Sequence, residues 1–146
     1  MDKQAKSKTS LFLMELIITI LFFSIAGAVC VQFFVKAHTI GIQTKELNHA
    51  VTAAQGFAEV MRGTDGSIDS ILAVYPDAIQ GNDTFFEVFY DEEFLPCEPE
   101  AAVYVSDVTL LPNGAIQNME IRVLKLSSLE EIYTLTATKY MNTPKG

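Results

Sequence analysis

The segment Leu11–Val35 reads LFLMELIITILFFSIAGAVCVQFFV and carries a single formal charge, Glu15, in 25 residues. An element of a water-soluble domain turns a polar side to solvent, and this segment has no polar side. As a helix it reaches about 37 Å at ~1.5 Å per residue, more than the roughly 30 Å of a bilayer's hydrocarbon core. It therefore predicts a membrane-inserted helix. Ala26-Gly27-Ala28 has the spacing of a signal cleavage site. The apolar run nevertheless continues to Val35, past the ~7–15 residues of a secretory signal core. A lipoprotein signal ending at Cys30 is disfavoured by Val29, where a small residue belongs.

Charge gives the segment a direction. Residues 1–10 hold Lys3, Lys6 and Lys8 against Asp2, a net of +2. Residues 37–146 hold six Lys and Arg against sixteen Asp and Glu, a net of −10. Short basic flanks stay cytoplasmic, so the chain from about Ala37 onward is expected outside the membrane. That acidic remainder repels phosphate backbones, and no nucleic acid partner is expected. Two cysteines, Cys30 and Cys97, make no disulfide framework, the first lying inside the apolar run.

A carboxylate in hydrocarbon costs on the order of 3 kcal/mol or more, so Glu15 calls for a partner or a function. Its place in the second turn of the span also suits the helix dipole and a reach toward headgroups. The neighbouring residues tip the balance. Lys8-Thr9-Ser10, then Leu11-Phe12-Leu13-Met14-Glu15, then Leu16-Ile17-Ile18-Thr19-Ile20-Leu21 resemble the type IV prepilins and the pseudopilins of type II secretion. Those proteins have a short basic leader, a small residue before the cut, and an apolar mature helix with glutamate fifth. The resemblance implies a cleavage and methylation segment with its processing junction at Ser10 and Leu11, cut by a prepilin peptidase. It also implies a role in assembly for Glu15, with other pilin-like subunits, membrane assembly machinery and the lipid bilayer as partners. The implied function is a structural subunit, major or minor, of a type IV pilus-like or type II secretion pseudopilus filament, at the cell membrane or in a surface or periplasmic filament. Family members almost always have glycine at the junction and usually phenylalanine after it, where this chain has Ser10 and Leu11. A second reading therefore stands: an uncleaved single-pass protein with a pilin-like extracytoplasmic binding domain.

Beyond the span the helical pattern continues. Ile40, Leu47, Ala54 and Met61 recur every seven residues, with Ala50, Val51, Phe57 and Ala58 on the same face. Lys45, His49, Thr52 and Glu59 fall opposite. Arg62 in the last turn and Gly63 in the left-handed cap position close a helix expected over Leu11–Arg62. Residues 64–83 read as a connector with a short helix over Ile68–Val74. Period-two patterns then predict strands at Thr84–Tyr90, Ala101–Leu111, Met119–Val123 and Ile132–Thr138, with a turn at Pro112-Asn113-Gly114. The expected fold is α+β and pilin-like: a long N-terminal helix packed on an antiparallel sheet of about four strands. Its parts are a leader (1–10), a transmembrane half (11–35), an amphipathic half (36–63) and a head (64–146).

Nothing in the sequence asks for an enzyme. It contains no phosphate loop, zinc spacing or nucleophile elbow, and no catalytic, cofactor-binding or metal residue is assigned. His38 and His49, eleven residues apart, read as surface histidines. Asp91, Glu92, Glu93, Glu98 and Glu100 lack the alternation of a calcium loop and read as a solvated loop around a free Cys97.

Overall fold

The structure, a computed structural model, describes the backbone of residues 2–141 and the side chains of residues 8–141. The side chains of Lys3 and Lys6 thus lie outside the described residues. The first element, α1 (Asp2–Gly63), is one α-helix of 62 residues. It begins nine residues before Leu11, because the segment Asp2–Ser10 contains good helix formers and neither Gly nor Pro. The chain divides into two compact units, Met1–Gln43 and Thr44–Gly146.

In the first unit α1 is exposed on all sides from Lys8 onward. Among the described residues one helix is long and apolar enough to cross a membrane, and it is this one. Exposure extends to Ile40 at 54% and, in the second unit, to Leu47 at 42%, so these two stand outside the core expected of their stripe. The packed part of α1 starts higher, with Ala50, Ala54, Phe57, Ala58 and Met61.

In the second unit that packed stripe lies on a five-stranded antiparallel sheet whose order, β1-β2-β3-β4-β5, follows the chain. The strands are β1 (Ile79–Asn82), β2 (Phe85–Tyr90), β3 (Tyr104–Asn113), β4 (Ile116–Lys125) and β5 (Glu130–Tyr140). Registers such as Phe86↔Val108↔Ile121↔Leu135 place alternate apolar side chains in rows on the core face. Phe57 lies at the centre of the core, with its ring 4.5 Å from that of Tyr75 and 5.9 Å from that of Phe86. A register shift between Val123 and Leu124 lets Ile132 and Tyr133 both pack on the core.

The fifth strand, β1, is the one beyond the expected four. Its sequence, Ile-Gln-Gly-Asn, lacks β-formers after the first residue, and all four residues are exposed, so no alternation marks it. It is held by the turn into β2, where Asn82 Oδ1 accepts from Thr84 N at 2.8 Å. A second short helix, α2 (Ile68–Leu72), is capped by Ser67.

The end of α1 differs from expectation. Gly63 is not left-handed; Gly66 is, at φ +82°. The last carbonyls are met by a cation instead. Lys139 Nζ, from β5, donates to Met61 O at 3.0 Å, to Arg62 O at 3.2 Å and to Thr64 O. An ammonium there satisfies open carbonyls and opposes the negative end of the helix dipole, so a glycine cap is not needed.

Candidate functional site

The functional candidate in the first unit is the exposed apolar helix itself. Its hydroxyl groups turn back on their own helix: Thr19 Oγ1 donates to Glu15 O at 2.8 Å and Ser24 Oγ to Ile20 O at 2.8 Å. In an apolar solvent this leaves no hydroxyl proton seeking a partner. Glu15 is different. Its side chain is exposed, and it belongs to neither of the two ion pairs among the described residues. A carboxylate so placed needs water, headgroups or another molecule to satisfy it. Ser10 and Leu11 are exposed too, and the bond between them lies within α1. Ser10, Leu11 and Glu15 thus share one face-to-solvent stretch of helix less than two turns long.

The second unit has three polar or aromatic clusters. At its lower end Glu46 Oε1 accepts from Lys125 Nζ at 2.6 Å and from Tyr104 Oη at 2.8 Å. The Lys125 hydrogen bond is the main reason that the Glu46 carboxyl is held below its ordinary pKa. Tyr104 is pushed up to about 12, first by desolvation and then by the Glu46 carboxylate.

Beside it, Phe94 stacks between His49 (5.1 Å) and Tyr104 (4.2 Å). His49 is therefore half-buried against a ring and not on a free surface. His38 is exposed. His49, Thr52, Tyr75, Tyr90 and Phe94 line a groove of about 190 Å³. Burial pushes Tyr90 up to about 12, so its phenol stays protonated.

On the outer sheet face Glu87 sits directly opposite Asp107, which pairs with Arg122 at 3.3 Å. Desolvation and then Asp107 raise Glu87; desolvation raises Asp107 against the opposing pull of Arg122. The Cys97 thiol is free and raised by desolvation and then by Asp91 and Glu98, which keeps it in the less reactive protonated form. Among the described residues no three His, Cys, Asp or Glu converge as metal ligands would.

The Glu46–Lys125–Tyr104 cluster and the Phe94 stack were invisible in the sequence, since Glu46 lies 58 and 79 positions from its two partners and His49 lies 45 from Phe94. Compared with family models, with curated proteins and with solved structures, the chain finds no match in any of the three.

Proposed function

We propose that the chain is a structural subunit, major or minor, of a type IV pilus-like or type II secretion pseudopilus filament. The observation that carries this is the span: an apolar helix exposed on all sides, bearing one carboxylate that belongs to neither ion pair among the described residues. Lipid can cover such a helix in the membrane. Outside it only the same half of neighbouring subunits can, and Glu15 then needs an intersubunit partner. The α-amino group freed at Leu11 by cleavage after Ser10 would supply one, fixing register because a mismatched subunit leaves two charges buried and unpaired. In this reading the basic leader stays in the cytoplasm and the acidic head is outside. The alternative, a permanent anchor carrying a binding head, is favoured by Ser10 standing where the prepilins have glycine.

Two measurements separate these. N-terminal sequencing of membrane-extracted protein, from cells with active prepilin peptidase, should give Leu11 first; Met1 would support the anchor. Glu15→Ala should abolish crosslinking between subunits in membranes while leaving insertion and head folding unchanged. Undiminished crosslinking would remove the filament reading, because a carboxylate that serves only the helix dipole contributes at most about 1 kcal/mol.

A further inference from the structure

Tyr75 and Tyr90 meet in one groove of the second unit, which holds about 190 Å³ between them and His49, Thr52, Gly56 and Phe94. Tyr90 is 6% exposed, and burial keeps its phenol protonated by lifting it to about 12. Burial raises Tyr75 as well, and Glu59 adds to the rise. The Tyr104 hydroxyl donates to Glu46 at 2.8 Å, but those of Tyr75 and Tyr90 have no acceptor among the described residues. Ser106, fully buried and acting on the Tyr90 oxygen, has no hydrogen-bond partner either. Buried donors are ordinarily matched by a lone pair, from the chain or from a bound molecule.

The other walls narrow the choice of that molecule. A Cβ at Gly56 would stand 3.0 Å from Tyr75 Oη, so the glycine lets this hydroxyl lie over the helix backbone. Phe94 has both faces stacked, on His49 and on Tyr104, and its edge remains, the side of a ring that attracts lone pairs. No Asp, Glu, Lys or Arg lines the groove, but Glu59 acts on Tyr75, and Asp91, Glu92 and Glu93 come just before Phe94 in the chain. A carboxylate or phosphate ligand would meet like charge there. Thr52 has already given its proton to Asn48 O at 2.8 Å, so its oxygen offers lone pairs that suit an ammonium.

We propose that this groove binds an extended, proline-rich peptide segment with basic residues beside its prolines, whose carbonyls accept from Tyr75 and Tyr90. Proline has no N–H, and a polyproline backbone makes no internal hydrogen bonds, so such a segment brings free acceptors and few donors. That is the complement of two unreceived phenol protons. A sugar hydroxyl brings a further donor with each acceptor, and a quaternary ammonium brings no lone pair. Basic neighbours answer the acidic flanks and set the orientation of the segment. Aromatic grooves suit this ligand because its conformation is already formed before binding. The site belongs to the head alone, so it serves a filament subunit and an anchored protein equally.

The test titrates full-length protein in detergent micelles into a fluorescein-labelled peptide of six prolines and two lysines, read by polarisation. Binding should saturate. Tyr75→Phe and Tyr90→Phe each remove one donor and should weaken it about fivefold, the worth of one hydrogen bond. Gly56→Ala, which a helix accepts readily, should weaken it at least as much by displacing the Tyr75 hydroxyl. Unchanged melting of the Tyr75→Phe and Gly56→Ala proteins separates loss of the site from loss of the fold. Peptides with alanines for the prolines, or with glutamates for the lysines, should bind roughly tenfold more weakly or worse, since they lack the free acceptors or the charge match. Equal binding of the alanine peptide, or binding indifferent to both phenylalanine changes, overturns the proposal. So does an absence of saturation with folded protein, which would leave water alone on the two phenols. Saturation by an N-acetylated disaccharide in place of the peptide also overturns it and gives the groove to sugars.

Discussion

Two stretches of α1 are both rich in apolar residues and have opposite fates. In Leu11–Val35 every side chain is exposed, Phe22 at 69%; between Ala50 and Met61 the apolar face is closed, with Phe57 at 0%. Composition does not explain this, since the exposed stretch is the more hydrophobic. The difference is in arrangement. The upper stretch confines its apolar residues to one side and makes many of them small: Ala50, Ala53, Ala54, Gly56 and Ala58. A sheet can then approach closely enough to seat a single large ring. The lower stretch places Leu, Ile and Phe around the whole circumference, and no single layer can cover that.

The largest expected effect tests that contrast directly. Phe57→Ala should destabilise the folded head by about 3–5 kcal/mol, as cavities at large core residues do, whereas Phe22→Ala should leave the urea midpoint of the full chain in detergent unchanged. Similar shifts would erase the distinction. His49→Ala should fall between them at about 1 kcal/mol, the worth of its stacking on Phe94. A smaller effect of the same order concerns the top of the packed stretch. Lys139→Met should cost about 1 kcal/mol and speed amide exchange at Thr64, because the last carbonyls of α1 lose their cation. If exchange there is unaltered, the helix end is closed by Thr64 and Val60 alone.

The smallest effects are electrostatic, and they have opposite signs. Glu46 has a lowered folded pKa. Its contribution, ~1 kcal/mol or less for a partly exposed pair, is complete above about pH 4.3, the value of an unperturbed glutamate, and is lost as pH falls through the folded value. Glu87 and Asp107 have raised values. The folded state there binds more protons than the unfolded one just above the ordinary carboxylate range, so stability rises as pH drops into that window. Glu46→Gln should therefore flatten the acid limb of the stability curve. Glu87→Gln should stabilise the head at neutral pH by about 0.5 kcal/mol, by removing a like-charge pair in direct register. A loss of stability from Glu87→Gln would mean that this pair is satisfied in some other way.

Where periodicity is strong the sequence was legible. Strands β2 to β5 overlap the alternating runs, and Phe57, Ala54 and Met61 are buried as their stripe requires. Periodicity says which way a residue faces and not whether anything faces it. That is why Ile40 and Leu47 share the stripe and stay exposed. Strand β1 escaped because an exposed edge strand has no inside to alternate with. The left-handed glycine was misplaced from Gly63 to Gly66 because Lys139, 75 to 78 residues away, closes the helix end from another element. For Ser10, Leu11 and Glu15 the fold adds exposure and helical backbone; the roles proposed for them rest on a resemblance carried by the spacing of residues 8–15.

The chain-order sheet has a consequence for how the head is made. Each strand pairs with the one just synthesised, so hairpins can form one after another as the chain emerges, with short loops to close. The packed stripe of α1 appears before all of them. Ala137, which is buried in the core, and Lys139, which seals the end of α1, both belong to β5, the last strand of all. Until those residues arrive, Phe57 and Met61 are an open apolar surface. The interval between the first turn of the head and its last strand is thus the period of greatest exposure to proteases and to wrong partners.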